Sequence, residues 1–137
     1  MKQNTIHSKK GFTLIELLIV IVILGLLGSL VAPDLFKNLD KGKQGTAKAQ
    51  MQLLETSLDT YYLDVGEYPN NLSELRQSEK KGWAGPYLKK DLPVDPWGNN
   101  YVLQVPGENG EYYTLKSLGR DNQPGGEGID EDLISGQ

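Results

Sequence analysis

Glu16 is the first residue whose chemistry needs an account: a carboxylate near one end of an otherwise apolar run from Phe12 to Ala32. A charge at the centre of a bilayer costs about 2.5–3.5 kcal/mol on insertion scales and less near an interface, and such groups usually have a function and a partner. Two readings are open. Glu16 can sit at headgroup level, simply solvated. Alternatively, a cut after Gly11 would leave Phe12 with a new ammonium group. Glu16 lies four residues on, so its own helix brings the two near each other, and a neighbouring copy could equally present its amine. In a low-dielectric surrounding either pairing is much stronger than in water.

The second concentration of chemistry is the stretch from Leu118 to Asp132, where Asp121, Glu127, Asp130, Glu131 and Asp132 sit in a glycine-rich loop able to turn backbone carbonyls inward. These are hard oxygen donors. Calcium takes about six to eight of them at roughly 2.3–2.6 Å and tolerates irregular geometry, while magnesium would retain several waters. Zinc prefers Cys or His, and the chain has no cysteine and one histidine, His7. The spacing is not that of an EF-hand, and composition alone leaves a solvated acidic tail equally open.

Elements of quite different character must hold these groups. The 21 residues from Phe12 to Ala32 would span roughly 30 Å as a helix, the thickness of a bilayer's hydrocarbon core. Lys9 and Lys10 flank its N-terminal end and assign that end to the cytoplasm, so the rest of the chain faces outward. An ordinary secretory signal has an apolar core of only about 7–15 residues; this run is longer and continues into further helical pattern. Pro33 can kink it, and Gly42 and Gly45 weaken the stretch that follows. Beyond them Ala47, Met51, Leu54, Leu58, Tyr61 and Val65 recur at helical spacing as one apolar stripe, read as core, with Gly66 as the stop. One long helix from membrane to domain is expected.

After Gly66 the pattern changes. A short helix is expected from about Asn71 to Gln77, then a packed loop from Gly82 to Leu88 and a turn at Asp95-Pro96-Trp97-Gly98. Tyr101–Val105 and Tyr112–Ser117 read as two strands joined by a hairpin loop over Pro106–Gly110. Trp83, Trp97 and most tyrosines read as core and loop anchors.

The string Gly11-Phe12-Thr13-Leu14-Ile15-Glu16 resembles the prepilin signature of type IV pilins and secretion pseudopilins: a short basic leader, Gly before the cut, Phe after it, and Glu fifth in the mature chain. The resemblance extends through Tyr68-Pro69 with Leu72 and Leu75, Gly85-Pro86-Tyr87-Leu88, Leu92–Gly98, and Ser117-Leu118-Gly119 followed by Asp121. Together these look like the major pseudopilin of type II secretion systems, over nearly the whole chain.

What this resemblance implies is specific. The fold would be α+β and type IV pilin-like, a long N-terminal helix packed on a small antiparallel sheet with a C-terminal calcium loop. Residues 1–11 would be a leader removed between Gly11 and Phe12 by prepilin peptidase, with N-methylation of Phe12. Residues 12–33 would form the transmembrane and filament-core helix, 34–66 its amphipathic continuation, and 67–137 a periplasmic region. Glu16 would guide each subunit into register. Calcium ligands carried over by position are the Leu118 carbonyl, the Asp121 carboxylate, the Gln123 carbonyl and Asp132, with Glu131 or Asp130 adding another carboxylate. Arg120 departs from the pattern by placing a cation beside the site. The mature subunit would rest in the inner membrane as a single-pass protein. It would polymerise with its own copies, alongside minor pseudopilins and the inner-membrane secretion platform.

The alternative is a type IV pilus or competence subunit for adhesion, motility or DNA uptake, which shares the N-terminal signature but commonly carries a larger head or a cysteine pair. Other classes fare worse. With the leader removed, 11 basic residues face 18 acidic ones, which argues against a nucleic-acid surface. No Ser/base pairing or phosphate-cradling loop stands out, so no catalytic residues are expected.

Overall fold

The computed structural model describes residues 10–136. Most of the expected leader, with Lys2, His7 and Lys9, therefore lies outside the described residues. The chain divides into two compact units, Met1–Asn38 and Leu39–Gln137.

Helix α1 runs from Leu14 to Val65, the single long helix expected, beginning two residues later than the apolar run. In the first unit it carries large apolar side chains that the chain does not cover. Phe12 is 92% exposed, and Leu17 to Leu24 are all about half exposed or more. The most apolar 18 residues of α1 are wholly unburied, and in length and composition the helix suffices to cross a membrane. Pro33 lies inside α1 with no interruption of the helical run. Its missing N–H is absorbed without ending the helix, so Pro33 does not terminate the element.

In the second unit the same helix becomes amphipathic, and its stripe is the core. Ala47, Met51, Leu54, Leu58 and Tyr61 are buried against Leu72, Leu75, Leu88, Tyr101, Leu115 and Leu133, with Val65 partly buried beside them. Burying one such leucine contributes about 1.5–3 kcal/mol, so this stripe is what attaches the sheet to the helix. Tyr101 adds a polar tie, its hydroxyl donating to Gln50 Oε1 at 2.5 Å, and burial pushes that hydroxyl's pKa up to about 12, with the charge of Asp95 adding to the effect. The helix ends where expected, Gly66 N–H donating to the Tyr62 carbonyl at 2.8 Å.

The sheet has three antiparallel strands in the order β1-β2-β3: Val102–Gln104, Thr114–Ser117 and Leu133–Ile134. Leu103 pairs with Leu115, and Ser117 with Leu133. The two expected strands are present but shorter. Tyr112 and Tyr113 fall outside β2 because the hairpin loop keeps its own bonds there: Gly107 N–H donates to the Glu111 carbonyl at 3.0 Å, and Glu108 N–H to Thr114 Oγ1 at 2.8 Å. Strand β3 was not anticipated; two residues are too few to show alternation. The expected helix at 71–77 is a single 3-10 turn, Leu72–Leu75, just long enough to bury both leucines. The packed loop at 82–88 is as expected, with Trp83 Nε1 donating to the Glu74 carbonyl at 2.8 Å and Tyr87 N–H to the Leu75 carbonyl at 2.8 Å.

Candidate functional site

The two sequence-derived sites fall at the start of α1 and in the loop between β2 and β3. At the first, Thr13 N–H donates to Glu16 Oε2 at 2.9 Å, and Glu16 N–H donates to Thr13 Oγ1 at 3.2 Å. Thr-x-x-Glu is a capping box, which satisfies two of the N–H groups that a helix start leaves unpaired. Glu16 thus has a local task that the sequence reading missed, although the Thr13–Glu16 spacing carries that signal openly. Gly11 and Phe12 precede the helix outside regular secondary structure and are exposed. A Cβ placed on Gly11 would meet nothing within 4 Å, so the chain on either side of the Gly11–Phe12 bond is open.

At the second site, Gly119 lies two residues past the end of β2. Its φ is +69°, and a Cβ there would lie 2.8 Å from the Asp130 carbonyl carbon and oxygen. A Cβ on Gly126, whose φ is +87°, would lie closer still to the same oxygen. Side chains at these two positions would wedge the loop open. The loop is closed by Arg120 N–H donating to the Ile129 carbonyl at 2.9 Å, and Gln44 of α1 reaches across to donate to the Gly128 carbonyl at 2.8 Å.

The expected ligands are distributed unevenly over this frame. Leu118 sits at the loop's entry beside Gly119. Asp121 Oδ1 accepts from Gln123 N–H at 3.1 Å, a bond within its own turn. Asp132 Oδ2 accepts from Gly125 N–H at 3.0 Å, whereas its Oδ1 is buried with no partner in the protein. Asp130 is engaged by Arg120 through two bonds of 2.9 Å, a bidentate pair. Glu131 is exposed. Among the described residues no three acidic side chains stand together closely enough to hold an ion.

This donor set fits a hard cation in one form. The orphaned Asp132 Oδ1 is an acceptor that a cation or a water could satisfy, and Asp121 Oδ2 accepts no hydrogen bond from the described residues. The remaining oxygens would be carbonyls, a mixture that calcium accepts and zinc does not. Asp130 would first have to leave Arg120.

One buried acid was read only as part of a turn. Asp95 is 2% exposed, yet it lies next to the loop's entry through Ser117, whose hydroxyl donates to Asp95 Oδ2 at 2.8 Å. The Asp-Pro-Trp-Gly string signals the turn; nothing local signals the burial.

Comparison with known proteins places the chain in a family. A family model described as type II secretion system (T2SS), protein G matches residues 34–136, and the prokaryotic N-terminal methylation motif matches residues 6–32. The Type II secretion system core protein G of Pseudomonas aeruginosa is 41% identical over 136 aligned residues, covering 93% of this chain and 94% of that protein. Its counterpart in Escherichia coli K12 is 41% identical over 129, covering 88% of each. Among solved structures, the major pseudopilin from the type 2 secretion system of enterohaemorrhagic Escherichia coli matches with a TM-score of 0.62 at 31% identity, over 75% of this chain and 94% of that one. The methylation motif lies on the helix start and the family match on the packed unit and its loop, and the chain belongs to the type II secretion system protein G family.

Proposed function

We propose that this chain is the major pseudopilin of a type II secretion system, a structural subunit that polymerises into a periplasmic pseudopilus and drives export of folded proteins through an outer-membrane channel. The observation that carries this reading is the uncovered apolar face of α1 from Leu14 to Val31. Apolar surface on that scale is stable in lipid or against other copies of itself, and nowhere in water. A subunit that moves from one setting to the other needs no new fold.

In this reading the precursor sits in the inner membrane, N-terminus cytoplasmic and second unit periplasmic. Prepilin peptidase cuts between Gly11 and Phe12 and the new amine of Phe12 is methylated. Glu16 of an incoming subunit meets the Phe12 amine of its neighbour at the filament base, supported by the secretion platform, and minor pseudopilins complete the filament. In the loop, Leu118, Asp121, Gln123 and Asp132 hold calcium, with Glu131 or Asp130 as a further donor. The ion supplies the positive charge that Asp132 Oδ1 lacks, and clamps a domain that has no disulfide.

The direct test is to express the chain with the remaining genes of such a system and to examine the product by mass spectrometry and electron microscopy. A protein starting at methylated Phe12, assembled in filaments, is expected. A protein starting at Met1 or downstream of Ala32, with no filaments and undiminished export without it, would refute the reading.

A further inference from the structure

We propose that Asp95 is the positioning residue of the calcium loop, aiming the Leu118 carbonyl through Ser117 and Asn99. The inference rests on the calcium reading above. An ionised carboxylate taken out of water is costly unless hydrogen bonds compensate it, and those made by Asp95 are informative. Its turn has a backbone bond of its own, Gly98 N–H donating to the Asp95 carbonyl at 2.9 Å, and the side chain adds to it. One carboxylate oxygen serves the turn, and the other reaches outside it. Oδ1 accepts from Trp97 N–H at 3.1 Å and Asn99 N–H at 2.8 Å, and Oδ2 accepts from the hydroxyl of Ser117, 22 residues away and itself fully buried.

Both partners hand the restraint on to Gly119. Ser117 Oγ accepts from Gly119 N–H at 3.4 Å, and Asn99 Nδ2 donates to the Gly119 carbonyl at 3.1 Å. The Gly119 N–H and the Leu118 carbonyl belong to one planar peptide group and point in opposite directions. Turning that N–H towards Ser117 turns the Leu118 oxygen the other way. Gly119 is also where the loop's start meets its end, pressed on Asp130, so a shift here would move the Asp130–Asp132 stretch as well.

The test is calcium titration by isothermal calorimetry on the full chain in detergent, comparing the wild type with Asp95→Asn, Ser117→Ala and the double variant. Asp95→Asn keeps an oxygen for the turn's N–H groups. Ser117→Ala leaves every charge in place, so loss of affinity in it cannot be put down to a missing negative charge. Each single variant should bind calcium about 10–100-fold more weakly, the usual effect of losing a residue that orients a metal ligand. The double variant should be no weaker than the weaker single one, because both break the same path. Should Asp95→Asn fail to fold by circular dichroism, Asn99→Ala, at a half-buried position, carries the same expectation. Wild-type affinity in Ser117→Ala, or fully additive losses, would overturn the role of Asp95 alone. A wild-type chain that takes up no calcium would overturn the calcium reading and this inference with it.

Discussion

Thr13 and Glu16 hold the start of α1 with a reciprocal pair of hydrogen bonds, 2.9 Å from Thr13 N–H to the Glu16 carboxylate and 3.2 Å from Glu16 N–H to the Thr13 hydroxyl. A carboxylate has about four acceptor sites, so capping its own helix leaves Glu16 able to receive an ammonium group as well. The two tasks are separable because one needs an oxygen and the other a charge.

Glu16→Gln should separate them. Glutamine still caps from this position, so insertion and helix formation should survive, while pairing with a protonated amine is lost. The expected outcome is normal membrane fractionation with filaments absent by electron microscopy. Abundant filaments from this variant would remove the register role of Glu16.

Gly11→Val should block maturation without disturbing the fold, since a Cβ at Gly11 meets no neighbour within 4 Å. The prediction is an uncleaved precursor of larger size on a denaturing gel, with the melting behaviour of the second unit unchanged. Normal processing would count against cleavage at the Gly11–Phe12 bond.

Calcium at 100 times its dissociation constant should stabilise the folded chain by about 2.7 kcal/mol. Chelation should lower the melting temperature by roughly 4–8 °C for each kcal/mol lost in a domain of this size. Asp132→Asn should abolish that sensitivity, because it alters a buried carboxylate oxygen without a partner. Identical melting curves with and without chelator would withdraw the metal.

Glu74 should make stability fall in acid. Burial by itself raises its pKa, but the Tyr61 hydroxyl donating at 2.8 Å, the Asn70 N–H at 3.1 Å and the Lys80 ammonium together lower it below the ordinary 4.5. A lowered carboxylate pKa means that the folded state binds fewer protons than the unfolded one. The stabilisation is thus complete above about pH 4.5 and lost as pH falls through the folded value. Glu74→Gln should flatten that acid limb and cost about 1–3 kcal/mol at neutral pH, measured by urea unfolding on either side of the transition. An unchanged acid limb would show that other groups carry it.

What the sequence determined by itself is whatever depends on a few neighbouring residues. Helical spacing from Ala47 to Tyr61 specified the buried stripe, because 3.6 residues per turn place those side chains on one face whatever they meet. The apolar run from Phe12 to Ala32 declared its solvent, and Gly66 declared the helix end. The Pro106–Gly110 loop announced a hairpin, although the strand limits depended on bonds that the loop kept for itself.

Tertiary structure alone decided which acids are buried and which carry partners. Asp95 resembles any turn aspartate until Ser117, 22 residues on, closes over it. Asp130 and Asp132 stand two apart with the same chemistry, yet Arg120 neutralises one and the other is left with an unpaired oxygen. Gln44 meets Gly128 across 84 residues. Such pairings form only after chain closure has met its entropic cost elsewhere, by burying the core, so they leave no periodic trace for a local pattern to reveal.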